Sequence, residues 1–345
     1  MAVKPGSRWQ YYRLVDWLTQ AYLAIVGVLI LILHGSALPQ WPWYGLAHLV
    51  LLFTIDGLIQ WHFRRPDQRV VGFLRHFYPF LLYAFLYRET GSLNHLLETG
   101  YLDAHLLRWD QQMFGGLPSV SFMVRLPYLP LSELFYASYF SYYIMIPGVG
   151  ITLFIRQRVQ FQHYLAVLSF VFYVCYLTYI FTPVMGPSIL DPRLRPSPLP
   201  PDLARVTLPE IPAAIRSGPF FQIMVYVYKH FEAPGASFPS SHVAVALCTL
   251  YFSFRYLRRI RIPHTVMVIL LSLATVYCRY HYVADLIAGT LAAAVLIPLG
   301  NWLYARFGKA GFIQDAVKNS PVPAARSSVP NQVSGSVAGN SLKRP

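Results

Sequence analysis

Charge is what this chain has least of. Only 12% of its 345 residues are Asp, Glu, Lys or Arg, about half the usual share of a soluble domain. No polar stretch is long enough to fold as a separate water-soluble unit. Acidic residues are the scarcer sign, 14 against 28 basic ones, which leaves a net charge of +14. Cysteine is also sparse. Cys175, Cys248 and Cys278 show no paired spacing, which excludes a disulfide framework and a cysteine zinc site; they read as small apolar packing residues. No metal-ligand spacing and no cofactor motif occur, so neither a metal nor a cofactor is expected; a metal held by two histidines is the weaker alternative. No internal repeat is present. The positive charge invites a nucleic-acid partner, but no basic motif stands in a soluble context, and the arginines fall in short clusters between apolar runs. Nucleic acid is therefore not an expected partner.

What the chain does have is hydrophobicity. Fully 55% of it is apolar and 16% aromatic, with 25 Tyr, a residue that suits the membrane–water boundary. Eight apolar segments lie near residues 17–34, 42–62, 70–88, 131–155, 162–184, 239–256, 263–280 and 283–305. Each approaches the ~20 residues that a helix needs to cross the hydrocarbon core. The expected fold is therefore all-α: a polytopic helical membrane protein of about eight transmembrane helices, with interfacial helices and a disordered C-terminal tail. The first apolar run follows Lys4, Arg8 and Arg13 and reads as an uncleaved span. Alternating the spans puts Arg64, Arg65 and Arg69, then Arg156 and Arg158, then Arg255, Arg258, Arg259 and Arg261, then Arg306 and Lys309 all on one side. That is the pattern of cytoplasmic loops, so both termini are expected in the cytoplasm and the membrane is expected to be the plasma (inner) membrane. Two long segments face the other way. Residues 89–130 contain a periodic run near Tyr101–Phe114 that reads as an interfacial helix ended by Gly115-Gly116. Residues 185–236 are Pro-rich, with a short helix near Phe220–Phe231. From about Phe312 the sequence is Ser-, Pro-, Ala- and Gly-rich without periodicity and reads as disordered.

The chemistry concentrates in two stretches. Arg279-Tyr280-His281-Tyr282-Val283-Ala284-Asp285 lies between the last two apolar runs. On a helix His281 and Asp285 would share a face, so that the carboxylate orients the imidazole. Ser240-Ser241-His242 lies 39 positions earlier (281 − 242), which is two crossings, so both histidines come to the same boundary. Pro239, Ser240, Ser241 and His242 would form the first turn of a helix, where free backbone N–H groups bind anions. Arg279, and Arg193 and Arg195 in the Pro-rich loop, would add guanidinium groups for phosphate. Two histidines, an Asp and arginines at an anion-binding helix start suggest phosphoryl transfer through a phosphohistidine. Asp56 and Glu133 are apolar-segment carboxylates that need partners, and the remaining histidines read as structural.

At this point the residues carry a resemblance. Phe238-Pro239-Ser240-Ser241-His242 is similar to the Pro-Ser-Gly-His motif of the type 2 phosphatidic acid phosphatase superfamily, and His281-x-x-x-Asp285 followed by Gly289 to its second motif. The pair resembles more closely the inositolphosphotransferase (inositol phosphorylceramide synthase-like) branch. Asp110 to Gly115 and Gly186-Pro187 also look like that branch. The resemblance implies that His281 takes the phosphoryl group, that Asp285 holds its ring, and that His242 protonates the leaving oxygen and then serves as base. It implies too that Ser240 and the Ser241 backbone cradle the phosphate. The superfamily's Ser-Arg pair before the nucleophilic His is Ala274-Thr275 here, and its Lys-x6-Arg-Pro motif survives only as Arg193-Leu194-Arg195-Pro196. Ser241 stands where the phosphatases usually have Gly. These departures point toward the transferase branch.

The expected organisation is a two-span segment over 1–69, a catalytic membrane domain over 70–308 and a disordered tail over 309–345. The expected substrate is a membrane phospholipid or lipid phosphate. The acceptor is a lipid or sugar alcohol, as in an inositolphosphotransferase, or water, as in a lipid phosphatase. The active site faces the outer or periplasmic side. A non-enzymatic transporter, with its Arg and His residues lining a path, is the reading of a different class.

Overall fold

The computed structural model describes residues 8–190 and 208–308, apart from Ala37 and Thr99. The segment that carries Arg193 and Arg195 and the tail 309–345 lie outside the described residues. The protein is an all-α polytopic membrane protein. Its helices are α1 (Leu14–Leu33), α2 (Trp41–Arg64), α3 (Arg69–Leu93), α4 (Asp103–Phe114), α5 (Pro118–Arg125), α6 (Leu129–Phe140) and α7 (Tyr142–Arg156). They continue with α8 (Arg158–Phe181), α9 (Ala213–Arg216), α10 (Pro219–Phe231), α11 (Ser241–Tyr256), α12 (Arg261–Tyr277) and α13 (Val283–Phe307).

Six of these helices are long and apolar enough to cross a membrane: α1, α2, α3, α8, α12 with the turn before it, and α13. A seventh span is the pair α6–α7, bent by 43°. Six or seven helices thus qualify where eight apolar segments were expected; the eighth segment is α11, which has only 16 residues. At 1.5 Å per residue α11 is only ~24 Å long, shorter than the ~30 Å hydrocarbon core. It tolerates this because it lies in the protein interior: it packs on α7, α8, α12 and α13, and most of its length is buried. The most enclosed span, α8, is 72% buried and forms the axis on which α1, α3, α7, α11 and α13 pack.

Charges inside this bundle are paired, as an apolar solvent requires. Arg75 on α3 makes a two-pronged contact with Asp16 on α1, at 2.8 and 2.6 Å, and Tyr78 donates to the same carboxylate at 2.7 Å. His48 on α2 contacts Glu89 on α3 at 2.9 Å. Asp56 accepts from Tyr12 at 2.8 Å. Glu133 accepts the free N–H groups of Phe220 and Phe221 at the start of α10, at 2.8 and 3.1 Å, the place where a helix favours a carboxylate. These two intramembrane carboxylates are therefore engaged structurally. The first two helices share the main apolar core with α8 and α11.

The interfacial helix expected near 101–114 is α4, ended by Gly115 in the left-handed region at φ 67°, a helix stop that glycine makes at low cost. The short helix expected near Phe220–Phe231 is α10. The helix carrying His242 starts two residues later than the sequence suggested, at Ser241. Pro239 lies outside it after a cis peptide bond, and Ser240 is its cap, with the side-chain oxygen accepting from the Val243 N–H. The geometry around Asp285 also differs from the expectation. His281 is not helical: α13 begins at Val283. The two side chains meet because Asp285 sits in the first helical turn and reaches back over the helix start, where its carboxylate accepts the Tyr282 N–H at 3.0 Å.

Candidate active site

Four short pieces converge at one end of the bundle, opposite the basic turns. Residues 183–186 leave α8, residues 233–240 lead into α11, the turn 278–282 joins α12 to α13, and α4 lies across them. Two carboxylates of α4 hold the ensemble. Asp103 accepts the N–H groups of Met185 and Gly186, each at 2.9 Å, and the hydroxyl of Tyr282 at 2.9 Å. Asp110 accepts the Val283 and Ala284 N–H groups at 3.0 and 2.9 Å, which caps α13. The 183–186 segment then meets the 233–240 segment in an isolated bridge: Val184 N–H donates to Gly235 O and Ser237 N–H to Val184 O, both at 3.0 Å. Gly186 needs its lack of a side chain, because at φ 82° a Cβ would lie 2.7 Å from the Tyr280 carbonyl.

The α12–α13 turn is reversed by Arg279, which has φ 62°. A non-glycine residue there carries local strain. The reversal lets Tyr280 N–H and His281 N–H both donate to the Thr275 carbonyl, at 3.0 and 2.9 Å. It also separates two side chains that adjacent numbering suggests would act together. His281 points inward, whereas Arg279 turns toward the 208–212 loop and donates to the Pro209 carbonyl at 2.6 Å. Its Nε and Nη2 are buried without a partner among the described residues, so two donors remain for an anion on that side.

His281 and His242 do meet. His281 Nε2 lies 3.4 Å from His242 Nδ1 and 3.3 Å from Ser240 Oγ. On its other edge His281 Nδ1 lies 2.9 Å from Ser237 Oγ and 3.2 Å from Asp285 Oδ2. Ser237 donates its one hydroxyl hydrogen to Asp285 Oδ2 at 2.7 Å. It must then accept from the imidazole, so the ring hydrogen resides on Nδ1 and the Nε2 lone pair is free. Burial pushes His281 down to about 3, which keeps the ring neutral and its lone pair available. His242 Nε2 contacts the Tyr139 hydroxyl at 3.0 Å. Tyr139 thus holds the His242 ring, Ser237 and Asp285 hold the His281 ring, and the two rings face each other across the His281 Nε2 lone pair. Ser240 presents its hydroxyl to that nitrogen. The Ser241 N–H donates instead to Tyr179 at 3.1 Å.

Ser237, Tyr139 and Asp103 are positioned here but were not singled out for roles from the sequence. Ser237 had a local signal, since it opens the Ser237-Phe238-Pro239-Ser240-Ser241-His242 run. Tyr139 and Asp103 are distant in sequence and share no spacing with the histidines. Among the described residues no group of three His, Cys, Asp or Glu is arranged to hold a metal.

Gly289 sets the distance between the two motif-bearing helices. A Cβ at this position would fall on the Ser240 carbonyl oxygen, so α13 reaches α11 only because the side chain is absent. Gly289→Ala is expected to cost ~1–3 kcal/mol of overpacking. By moving Ser240 and His242 away from His281 it should also lower turnover ~100-fold, as small misplacements do. Paired thermal melts and activity assays in detergent will show whether both effects occur together.

Fold and site together define a polytopic helical membrane protein with a buried, carboxylate-oriented histidine pair at one end of the bundle. A family model described as the PAP2 superfamily matches residues 104–299, more than half of the chain, and the chain belongs to that superfamily. Its members are phosphatases or phosphotransferases, so the protein is an enzyme acting on phosphoryl groups, and its setting in the membrane implies lipid phosphate substrates. No curated protein and no solved structure matches the chain significantly.

Proposed function

We propose that the protein is a lipid phosphotransferase that moves a phosphoryl or phospho-headgroup to an alcohol through phospho-His281. The observation that carries this reading is the free Nε2 of His281 facing His242, with Nδ1 occupied by Ser237 and Asp285. In the first half-reaction the Nε2 lone pair forms a bond to phosphorus and the bond from phosphorus to the lipid oxygen breaks. His242, protonated once the negative phosphate lies beside it, gives its proton to that oxygen. In the second, His242 takes the proton of the acceptor hydroxyl, whose oxygen bonds to phosphorus as the phosphorus–nitrogen bond breaks. Asp285 offsets the positive charge that the imidazole gains. Ser240 and Arg279, with Arg193 and Arg195, are proposed phosphate ligands; the Ser241 N–H is taken by Tyr179. Arg279 turns to the 208–212 side, so its unpartnered Nε and Nη2 would serve a phosphate oxygen or headgroup that reaches that side.

A lipid substrate is favoured by an apolar cavity of about 420 Å³ that reaches His242 and Ser241 between α3, α7, α8 and α10, and alcohol as acceptor by the resemblance to the transferase branch. The cavity walls, among them Phe80, Tyr83, Phe172 and Tyr176, suit a hydrocarbon chain rather than bulk water. The resemblance to the inositolphosphotransferase branch makes phosphoinositol one candidate headgroup. The basic turns lie at the end away from the site, which supports a site facing the outer leaflet.

The test is incubation of the purified protein in lipid with phosphorus-labelled phospholipids, with and without lipid and sugar alcohols. An alcohol-dependent phosphodiester product is expected. Release of the phosphorylated headgroup at the same rate with and without alcohols would make water the acceptor and overturn the transferase reading. His242→Ala is expected to slow turnover of an alkyl phosphate ~10²–10⁴-fold. The loss should be much smaller for an aryl phosphate, whose leaving oxygen needs no proton. Equal losses on both substrates would remove His242 from the proton-transfer role.

A further inference from the structure

Glu232 has no role in the scheme above, yet it borders the histidine pair. Two narrow crevices meet there. One, of about 10 Å³, is lined by His281, Ser237 and Tyr280 among others. The second, of about 20 Å³, is lined by Tyr139, Tyr143 and Phe231. Glu232, Tyr87, Tyr228 and His242 line both. Tyr228 is held in place by stacking on Tyr280, ring centres 4.0 Å apart. His242 and Tyr87 also line the 420 Å³ apolar cavity, so the crevices adjoin the hydrocarbon-sized space.

A carboxyl in such a place needs a partner. No side chain among the described residues pairs with it. No Lys or Arg lines either crevice, and the adjacent Lys229 is exposed. The groups that face Glu232 are the phenols of Tyr87 from α3, Tyr139 from α6, Tyr143 from α7, Tyr228 from its own helix and Tyr280 from the α12–α13 turn, with the two histidines. Burial pushes the Glu232 carboxyl up to about 8, as expected of an acid whose cation is missing. A negatively charged group beside a phosphate site is unfavourable unless the substrate itself brings positive charge.

We propose that Glu232 and the surrounding tyrosines bind the primary ammonium of a phosphoethanolamine headgroup. This deepens the transferase reading and rests on it. Size selects the ligand. A space of 10 to 20 Å³ holds about one water, and an ammonium group is of that size and carries three donors. The carboxylate accepts one, phenolic oxygens accept others, and the ring faces add cation–π attraction. A trimethylammonium group has no N–H to donate to the carboxylate, and an inositol ring brings no positive charge. Two methylenes separate the ammonium from the phosphate oxygen, so the headgroup spans from Glu232 to the histidine pair while the hydrocarbon occupies the apolar cavity. Holding the ammonium through both half-reactions keeps the phosphoethanolamine on His281 until the acceptor arrives.

The experiment measures diacylglycerol release and His-bound phosphorus in vesicles of phosphatidylethanolamine, its mono-, di- and trimethyl forms, phosphatidylglycerol or phosphatidylinositol. Phosphatidylethanolamine is expected to exceed phosphatidylcholine by about tenfold or more, with a step down at each methyl. Glu232→Gln should lower the ratio of phosphatidylethanolamine to phosphatidylglycerol turnover by about tenfold. Equal turnover of the methyl series, preference for phosphatidylinositol or phosphatidylglycerol, or an unchanged ratio in the variant would each overturn the ammonium site. Should the variant fail to fold, the methyl series on the unaltered protein decides alone. Phosphohistidine formed from phosphatidylglycerol but not from the amine lipid would overturn the ammonium site and leave the transferase reading standing. No phosphohistidine from any donor would remove both.

Discussion

His281→Ala is expected to abolish the acid-labile, base-stable phosphoenzyme and to lower turnover by ~10⁴–10⁶-fold, the range for losing a covalent nucleophile. The size of the effect follows from the isolation of this nitrogen. His281 Nε2 is the lone pair around which Ser240 and His242 gather, at 3.3 and 3.4 Å. The ring is 3% exposed, so bulk water cannot readily replace it as nucleophile. Rapid quench with labelled lipid, followed by acid and base stability tests of the label, provides the measurement. A label of undiminished amount in His281→Ala would assign the covalent step to another residue.

Asp285→Asn should be the next most damaging change, lowering phosphoenzyme formation ~10³-fold by analogy with other carboxylate-oriented histidines. Asp285 Oδ2 receives three groups, the Ser237 hydroxyl, the Tyr282 N–H and the His281 ring. Asparagine preserves the shape but removes the negative charge that offsets the imidazole as it gains phosphorus. Its amide also places donors where Asp285 Oδ1 has no partner, or presents them to Nδ1 and moves the ring hydrogen to Nε2. Either arrangement impairs attack. Ser237→Ala leaves the carboxylate in place and should cost only ~10-fold, the scale of one lost hydrogen bond of ~1 kcal/mol. Pre-steady-state phosphoenzyme rates for the two variants, beside melting curves, separate the effects. If both lose activity equally, the serine rather than the charge orients the ring.

These two expectations rest on features that were unequally visible in the sequence. The pairing of His242 with His281 was legible from spacing, because two membrane crossings return a chain to the same boundary whatever the packing. The neighbourhood of Asp285 and His281 was legible too, but for a reason other than the one spacing suggests. Helical periodicity would place them on one face, whereas the chain keeps His281 outside the helix and lets the carboxylate fold back as a cap. Arg279 shows the converse. Its number puts it two residues from His281, yet the left-handed turn at that residue sends its guanidinium to Pro209. A single backbone torsion decides this, and composition does not encode it.

The sequence by itself determined that the protein is a helical membrane protein, because the chain's apolar runs have bilayer length and hydrocarbon leaves the backbone no other partner than itself. It also determined which end holds the two motifs. What surrounds them depends on how the helices pack. Asp103 and Asp110 tie the interfacial helix to the start of α13, Gly289 lets α13 touch Ser240, and Tyr87, Tyr139, Tyr228 and Glu232 arrive from three different helices or their ends. The physical reason is distance along the chain. Contacts within a span or between adjacent spans follow from periodicity and length, while a site assembled from residues ~40 to 180 positions apart depends on side-chain packing, and steric fit rather than hydrophobicity orders helices inside a membrane.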